Sequence, residues 1–257
     1  MNHPLLHTTG RLSSRMDDTA VAKLLARVQP HLPQPADWNH PDIELEIGMG
    51  NGLAMLERAK AAPHRLFVGS EVYLNGLQVA LNTISSWRAQ RGHLTQIELS
   101  HEMASDRPRH DDISNIRLTN QDARDLLANI PPATLSRILI PFPDPWPKAK
   151  HHKRRIVQPE LLAACARTLK PNGELWVVTD WPSYAYHAIA VMQSHKAFTM
   201  NGCDLEAVNC KPSARLETPL GPQLLATAPS WWVPTKYQEK AITAGRGVWY
   251  IKAIKRA

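Results

Sequence analysis

Five short apolar segments, each followed by a helical pattern, occupy the chain from residue 43 onward, and their order constrains the fold more than any other feature. The segments are IELEI (43–47), RLFVGSEV (65–72), IRLTNQDA (116–123), SRILIPF (136–142) and ELWVVTD (174–180). In the stretches that follow them, apolar residues recur at the spacings of one helix face. Parallel strands need crossover connections, which are usually helices. The order therefore predicts an α/β fold with a doubly wound, mostly parallel sheet.

The two ends of the chain depart from this order. Residues 1–40 are polar and basic with one helical pattern at residues 17–32, and we expect an N-terminal arm there. The segment GVWYIKAIK (247–255) alternates, which predicts a strand that completes an antiparallel pair at the far edge of the sheet. We expect residues 41–257 to form a single domain, with polar surface insertions near 93–114 and 204–230.

Charge and composition narrow the class of partner. The chain carries 30 Lys and Arg against 23 Asp and Glu, a formal net charge of +7, which favours an anionic partner such as nucleic acid. No apolar run approaches the roughly 18 residues of a membrane span, so we expect a soluble, cytoplasmic protein with no membrane partner. The three cysteines lack metal-ligand spacing, and we predict no metal site. Cys165, inside the helical pattern LLAACARTL, is predicted to be a reduced core residue.

Glycines and acids close the first three predicted strands, at the edge where an open α/β sheet binds its ligands. The first strand ends in ELEIGMGNG, where Gly48 and Gly50 let the backbone approach a ligand. The second ends in Glu71, whose carboxylate can accept both hydroxyls of an adenosine ribose. The third ends in Asp122 and Ala123, where an adenine ring can lie. These features fit either a dinucleotide or S-adenosylmethionine.

Two details favour the methyl donor over a nicotinamide. The glycine spacing is G-x-G-x-G, which differs from the dinucleotide pattern G-x-G-x-x-G. Glu46 lies between Leu45 and Ile47 in the first strand, where an acid can bind the methionine ammonium of S-adenosylmethionine directly or through water. We therefore predict S-adenosylmethionine as the cofactor.

The segment PFPDPWPKAKHHKRR (141–155) closes the fourth strand on the same rim. Alternating prolines restrict the backbone and remove donors, which predicts a stiff extended segment that holds Asp144 in one place. That carboxylate can orient a substrate amine or a guanine edge; the alternative is a simple turn residue. The basic tract that follows is interpreted as a phosphate-binding surface that includes Arg154 and Arg155, although such runs are often only a solvated face.

Six segments together resemble the bacterial tRNA (guanine-N7)-methyltransferase family. The most specific is PFPDPWPKAKHHKRRIVQPELL, and the others are LEIGMGNG, SEVYLNG, TNQDA, VTDWPSYAYH and TKYQEKAITAGRGVWY. The resemblance covers about residues 43–257, apart from the two insertions. It implies a Rossmann-like class I methyltransferase that uses S-adenosylmethionine to methylate N7 of guanine in tRNA. The implied product is 7-methylguanosine at position 46 of the variable loop.

The resemblance also implies roles for individual residues. Glu46, Glu71, Asp122 and Asp144 match positions that contact S-adenosylmethionine. Asp144 additionally matches the position held responsible for catalysis.

Substrate-binding positions of the family match Lys148, Asp180 and the segment that begins with Thr235 and Lys236. The family typically has Glu after the triplet T-K-aromatic, whereas this chain has Gln238 followed by Glu239. Either Gln238 replaces the acid or Glu239 supplies it.

We expect tRNA as the partner, no obligatory protein subunit, and a monomer or homodimer. Two other classes of function stay open: a non-catalytic RNA-binding module on a methyltransferase fold, and a small-molecule methyltransferase or nicotinamide oxidoreductase. The intact set of acids speaks against the first class, and the basic tract against the second. Trp231 and Trp232 can stack on bases, but we favour packing beside the final strand.

Overall fold

The computed structural model describes residues 16–91, 113–200 and 228–257, and the chain divides into two compact units, Met1–Ala123 and Arg124–Ala257. The partition predicted from the sequence, with an arm up to residue 40 and one domain after it, is a different division and stays a prediction. The predicted insertions near 93–114 and 204–230 lie almost entirely outside the described residues.

Among its described residues, the first unit has three parallel strands in the order β3-β2-β1. Its described helices and strands are α1 (Asp18–Val28), β1 (Ile43–Ile47), α2 (Leu53–Ala61), β2 (Leu66–Ser70), α3 (Leu74–Arg91) and β3 (Ile116–Thr119). Short 3-10 helices lie at Gln29–His31, Pro35–Asn39 and Ile113–Asn115. Every residue of β1 and β2 is buried, as expected for parallel strands covered on both faces.

Helix α1 belongs to the core of the first unit. Its N-cap Asp17 accepts a hydrogen bond from the amide of Ala20 over 2.8 Å, which satisfies a donor of the first turn. Leu24 and Val28 are buried in the same apolar cluster as Leu77 of α3. The helix predicted within the N-terminal arm is thus held by apolar burial, worth about 1.5–3 kcal/mol for a fully buried side chain.

The described part of the second unit carries four strands in the order β4-β5-β7-β6. Its described elements are α4 (Ala123–Asn129, beginning at the last residue of the first unit), β4 (Leu135–Pro141), a 3-10 helix (Ala149–Arg154), α5 (Pro159–Thr168), β5 (Leu169–Thr179), α6 (Pro182–Ser194), β6 (Phe198–Thr199), α7 (Lys236–Thr243) and β7 (Trp249–Lys255). Strand β4 is parallel to β5, whereas β7 is antiparallel to both β5 and β6.

The predicted α/β fold, mostly parallel with antiparallel strands at the C-terminus, is confirmed. One detail differs, because β7 lies between β5 and β6 and is not the edge strand. Strand β6 has two residues, Phe198 and Thr199, which is too short for an alternating pattern to be recognised. No helix within the described ranges is long and apolar enough to cross a membrane.

Two packing predictions in the second unit are confirmed. The ring of Trp232 meets Tyr250 of β7 edge-on, and Trp231 meets Trp176 of β5 in the same way, each with ring centroids 5.3 Å apart. The tryptophans therefore pack beside the final strand. Cys165 of α5 is buried and free, and burial raises the pKa of its thiol to about 12, which makes it unreactive.

Candidate cofactor and substrate sites

The turn after β1 is built from glycines with left-handed backbone. Gly48, Gly50 and Gly52 have φ of 74°, 58° and 72°, a region that is costly for residues with a side chain. The amide of Gly48 donates to the carbonyl of Ser70 over 2.8 Å, which ties the turn to the end of β2. A Cβ placed on Gly48 would meet no described atom within 4 Å. A ligand can therefore approach the main chain there.

Glu71 orients this turn from the end of β2. Its Oε2 accepts a hydrogen bond from the amide of Gly50 over 2.8 Å, and its Oε1 accepts one from the amide of Tyr73 over 2.7 Å. The backbone of Glu71 donates to Thr119 at the end of β3 over 3.0 Å. A carboxylate oxygen accepts more than one hydrogen bond, so this fixed orientation is compatible with ribose hydroxyls as further donors.

Asp122 and Ala123 follow β3 in the first unit, and both are buried. Helix α4 begins at Ala123, so Asp122 stands at its N-terminus. The hydroxyl of Ser70 donates to the carbonyl of Gln121 over 2.8 Å, which joins the ends of β2 and β3. The structure thus brings these two residues and Glu71 to the carboxyl ends of neighbouring strands, as predicted.

Glu46 lies in a buried ion network that the sequence did not reveal. It is 2% exposed and pairs with Arg58 of α2, whose Nε also donates to Oε1 of Glu44 over 3.1 Å. Burial raises the pKa of Glu46. Burial opposes the charge of Arg58 as well, but the carboxylates of Glu46 and Glu44 outweigh it and raise the pKa of Arg58. The acid predicted for the methionine ammonium already has a cation of the protein as its partner.

The loop after β4 departs from the predicted uniformly extended segment. Phe142 and Trp146 have φ of 47° and 41°, because each proline fixes only its own φ and the chain turns at the aromatic residues. Positive φ is strained for bulky residues. The Phe142 ring stacks on Tyr237 at 6.2 Å, and Trp146 meets His151 at 5.7 Å. Asp144, between the two turns, is exposed, and its carboxylate accepts no hydrogen bond from the described residues.

The basic tract consists of Lys148, the 3-10 helix Ala149–Arg154 and Arg155, which directly follows this helix. Lys148, Lys150, Lys153 and Arg154 are exposed, and no acid in the described part of the chain forms an ion pair with any of them. Their charge is therefore available to an external anion.

Arg155 differs from the rest of the tract, since it is 1% exposed. Its Nε donates to the carbonyl of Pro145 over 3.0 Å, and its Nη1 donates to the carbonyl of Ser183 over 3.3 Å. A guanidinium held inside the protein by carbonyl groups cannot reach a phosphate in this arrangement, so the phosphate contact predicted for Arg155 is not available.

Asp180, directly after β5, is bound by Arg246, whose Nε donates to Oδ2 over 2.8 Å. An open pocket surrounds this pair, and its other lining residues are Trp181, Pro182, Gly247 and Trp249. Apolar and aromatic walls with a few polar groups are typical of a small ligand site.

The predicted substrate segment begins helix α7. Thr235 is its N-cap and accepts a hydrogen bond from the amide of Gln238 over 3.2 Å. The side chain of Gln238 accepts one from Nε1 of Trp232 over 2.6 Å. Lys236 and Glu239 are exposed. Gln238 therefore anchors the helix to the tryptophan, whereas Glu239 presents its charge to solvent.

Sequence reasoning missed Arg58 and Arg246, each of which binds a predicted site acid. A signal existed for Arg58, because Glu44 and Glu46 point to the same face of a buried strand and buried carboxylates require partners. For Arg246 no local signal existed, since Asp180 is 66 positions away along the chain.

The first unit fits an adenosine cofactor. The backbone at Gly48 is open to a ligand, and the carboxylate of Glu71 is oriented to accept hydrogen bonds from hydroxyl groups. Asp122 and Ala123 lie at the end of the next strand, where an adenine ring can lie in such a fold. The fold and these residues are those of a Rossmann-like protein with an adenosine cofactor, and the G-x-G-x-G spacing favours an S-adenosylmethionine-dependent methyltransferase.

Comparisons with known proteins identify the family. A family model described as "Putative methyltransferase" matches residues 41–251. The chain is 34% identical to the tRNA (guanine-N(7)-)-methyltransferase of Magnetococcus marinus, with 97% of this chain and 87% of that protein covered. It is 31% identical to the protein of the same name from Caulobacter sp., with 93% and 91% covered. The chain belongs to the tRNA (guanine-N(7)-)-methyltransferase family.

A solved structure agrees with the fold. The crystal structure of the protein PH0851 has a TM-score of 0.52 and 12% identity, covering 91% of this chain and 46% of that one. At this identity the likeness concerns the fold alone.

Proposed function

We propose that this protein transfers the methyl group of S-adenosylmethionine to N7 of guanine in tRNA, and that the target is guanine 46 of the variable loop. Membership of the family supports the reaction. The structural observation that carries the proposal is the exposed Asp144, held between two strained turns and followed by surface cations that form no ion pair within the described ranges. A nucleobase-recognising acid beside a phosphate-binding surface is what a tRNA substrate requires.

The cofactor residues of the first unit are assigned by the same proposal. Gly48 and Gly50 let the backbone approach the cofactor, Glu71 accepts from the ribose hydroxyls, and Asp122 and Ala123 border the adenine. When bound, S-adenosylmethionine supplies an electrophilic methyl group on a sulfonium. Glu46 is assigned to the methionine ammonium of the cofactor, and its carboxylate also pairs with the buried Arg58.

Orientation is the main task of the protein in this reaction. The N7 lone pair of guanine lies outside the aromatic system, so methyl transfer needs no proton removal and no strong base. Holding N7 in line with the methyl group converts a bimolecular step into a unimolecular one, which is worth about 7–11 kcal/mol in favourable cases.

Two carboxylates of the second unit are assigned to the base. Asp144 and Asp180 follow neighbouring parallel strands, and each can accept hydrogen bonds from guanine N1–H and the exocyclic amino group. Adenine lacks this donor pair, so the acids select guanine. Positive charge moves into the purine as N7 attacks, and nearby carboxylates stabilise it.

The exposed cations are assigned to the tRNA backbone. Arg154 binds phosphate, and Lys148 binds either phosphate or O6 of the guanine. Thr235, Lys236 and Glu239, at the start of α7, contribute to the substrate surface, with Gln238 placing the helix. We further propose that the enzyme acts in the cytoplasm, as a monomer or homodimer, without a separate subunit.

The assay that tests this function combines the purified protein, labelled S-adenosylmethionine and an unmodified tRNA transcript with guanine at position 46. Borohydride and aniline cleavage then maps 7-methylguanosine. We expect label and cleavage at position 46, and none in a transcript with adenine there. Tight binding without transfer to any tRNA would instead indicate an RNA-binding module, and transfer only to a small molecule would indicate another methyltransferase.

A further inference from the structure

Arg155 is a buried cation whose partners are neutral groups. Nε donates to Pro145 and Nη1 to the carbonyl of Ser183, while Nη2 donates to Oγ of Ser183 over 3.4 Å. The guanidinium also lies 5.3 Å from the ring centre of the buried Tyr184. Removing a guanidinium from water is costly unless its donors are satisfied. The buried Arg155 is therefore stable only in the arrangement in which these hydrogen bonds form.

The bonds of Arg155 join the two segments that carry the candidate acids. Pro145 is the residue after Asp144, in the loop strained at Phe142 and Trp146. Ser183 is the second residue of α6, which begins just after Asp180. One side chain therefore hydrogen-bonds to a position one residue from Asp144 and to another three residues from Asp180.

We propose that Arg155 is a positioning residue that holds the Asp144 loop and the Asp180 end of α6 in one relative geometry for guanine. This inference rests on the proposed function. It assigns to Arg155 a role different from that of its neighbour Arg154: the buried guanidinium sets the placement of the base, and the exposed one attracts the tRNA backbone. The two adjacent arginines thus act on different kinetic constants.

The test compares Arg155→Met, Arg155→Lys and Arg154→Met. We expect Arg155→Met to lower kcat for tRNA methylation by about 100-fold, the order expected for a misplacement near 1 Å. The salt dependence of tRNA binding stays at the wild-type slope. Arg155→Lys keeps the charge but cannot bond two segments in a planar fork, so it does not restore kcat. Arg154→Met raises KM for tRNA and reduces the slope of log K against log salt by about 1.

Opposite results would overturn the positioning role. If Arg155→Met reduces the slope of log K against log salt as much as Arg154→Met does, Arg155 contacts a phosphate. This comparison requires only measurements of tRNA binding and no methyl transfer. Wild-type kcat in Arg155→Lys shows that charge alone suffices. If Arg155→Met does not fold, the lysine variant decides, with thermal unfolding and S-adenosylmethionine binding as checks of its integrity. If the wild-type protein binds tRNA but transfers no methyl group, the proposed function is contradicted. The salt dependence of tRNA binding then still decides whether Arg155 contacts a phosphate.

Discussion

Arg246 donates a hydrogen bond from Nε to Oδ2 of Asp180 over 2.8 Å, so the acid that we assign to guanine already has a guanidinium of the protein as its partner. Both groups are partly exposed, and such pairs are worth about 0.2–1 kcal/mol. Guanine presents N–H donors comparable to those of a guanidinium. Under the proposed function, guanine can therefore replace Arg246 at small cost.

Asp180→Asn tests whether the carboxylate recognises guanine. We expect kcat/KM for tRNA to fall by about 100-fold, because the amide turns a donor toward the guanine donors and leaves a hydrogen bond unmade. Arg246→Met is the matched control and should change kcat/KM by less than about fivefold, the value of an exposed pair. Equal losses in both variants would show that the ion pair itself is required.

Asp144→Ala tests the acid in the strained loop. We expect methylation to be abolished while tRNA binding stays nearly intact, because Asp144 is exposed and carries no structural hydrogen bond among the described residues. Single-turnover transfer and equilibrium tRNA binding measure the two effects separately. Wild-type turnover in this variant would remove Asp144 from the mechanism.

Gly48→Ala tests the open turn of the first unit, and Gly245→Ala is its matched control. Both glycines have left-handed φ, 74° and 68°, and a Cβ on either meets no described atom within 4 Å. Each substitution should cost about 1–2 kcal/mol of unfolding free energy from backbone strain. Only Gly48→Ala is expected to weaken S-adenosylmethionine binding, measured by calorimetry. Unchanged affinity would place the cofactor elsewhere.

Arg58→Met tests the buried network beneath the turn. The substitution leaves the carboxylate of Glu46 buried without its cation, whereas Glu44 keeps an ion pair with Arg65. We expect a loss of about 3–5 kcal/mol in the free energy of unfolding. Glu57→Gln, in the same helix but exposed and 3.4 Å from Lys60, should cost less than about 1 kcal/mol. Denaturant titration measures both, and similar small losses would mean that the network contributes little.

His187 gives the protein a pH-dependent stability. Burial lowers the pKa of its imidazole, which bonds the carbonyl of Val157 at 2.7 Å. At pH values between the folded and the unfolded pKa, His187 stays neutral in the folded protein but binds a proton in the unfolded chain. This contribution is fully present above the unfolded pKa of about 6.5 and is lost as pH falls through the lowered folded pKa. The melting temperature should therefore drop between pH 7.5 and 5.5.

His187→Gln should make this drop smaller, because the variant has no imidazole to protonate. The exposed His64 provides the control: His64→Gln should keep the wild-type drop. An unchanged pH dependence in His187→Gln would assign the effect to other groups.

Local patterns were sufficient for much of this protein. Continuous apolar runs predicted the parallel strands, and the glycines after β1 predicted a turn that does require positive φ at Gly48 and Gly50. The helical pattern around Cys165 predicted its burial. These features depend on the preferences of neighbouring residues, which a short stretch of sequence contains.

Tertiary structure decided the partners of the charged groups. The sequence by itself determined that acids follow the strands and that cations follow Asp144. It could not distinguish the buried Arg155, which bonds a residue 28 positions away, from the exposed Arg154, nor pair Arg246 with Asp180 across 66 positions. Pairings over such separations arise only when packing brings distant segments together and excludes water, because burial makes an unpaired charge too costly to keep.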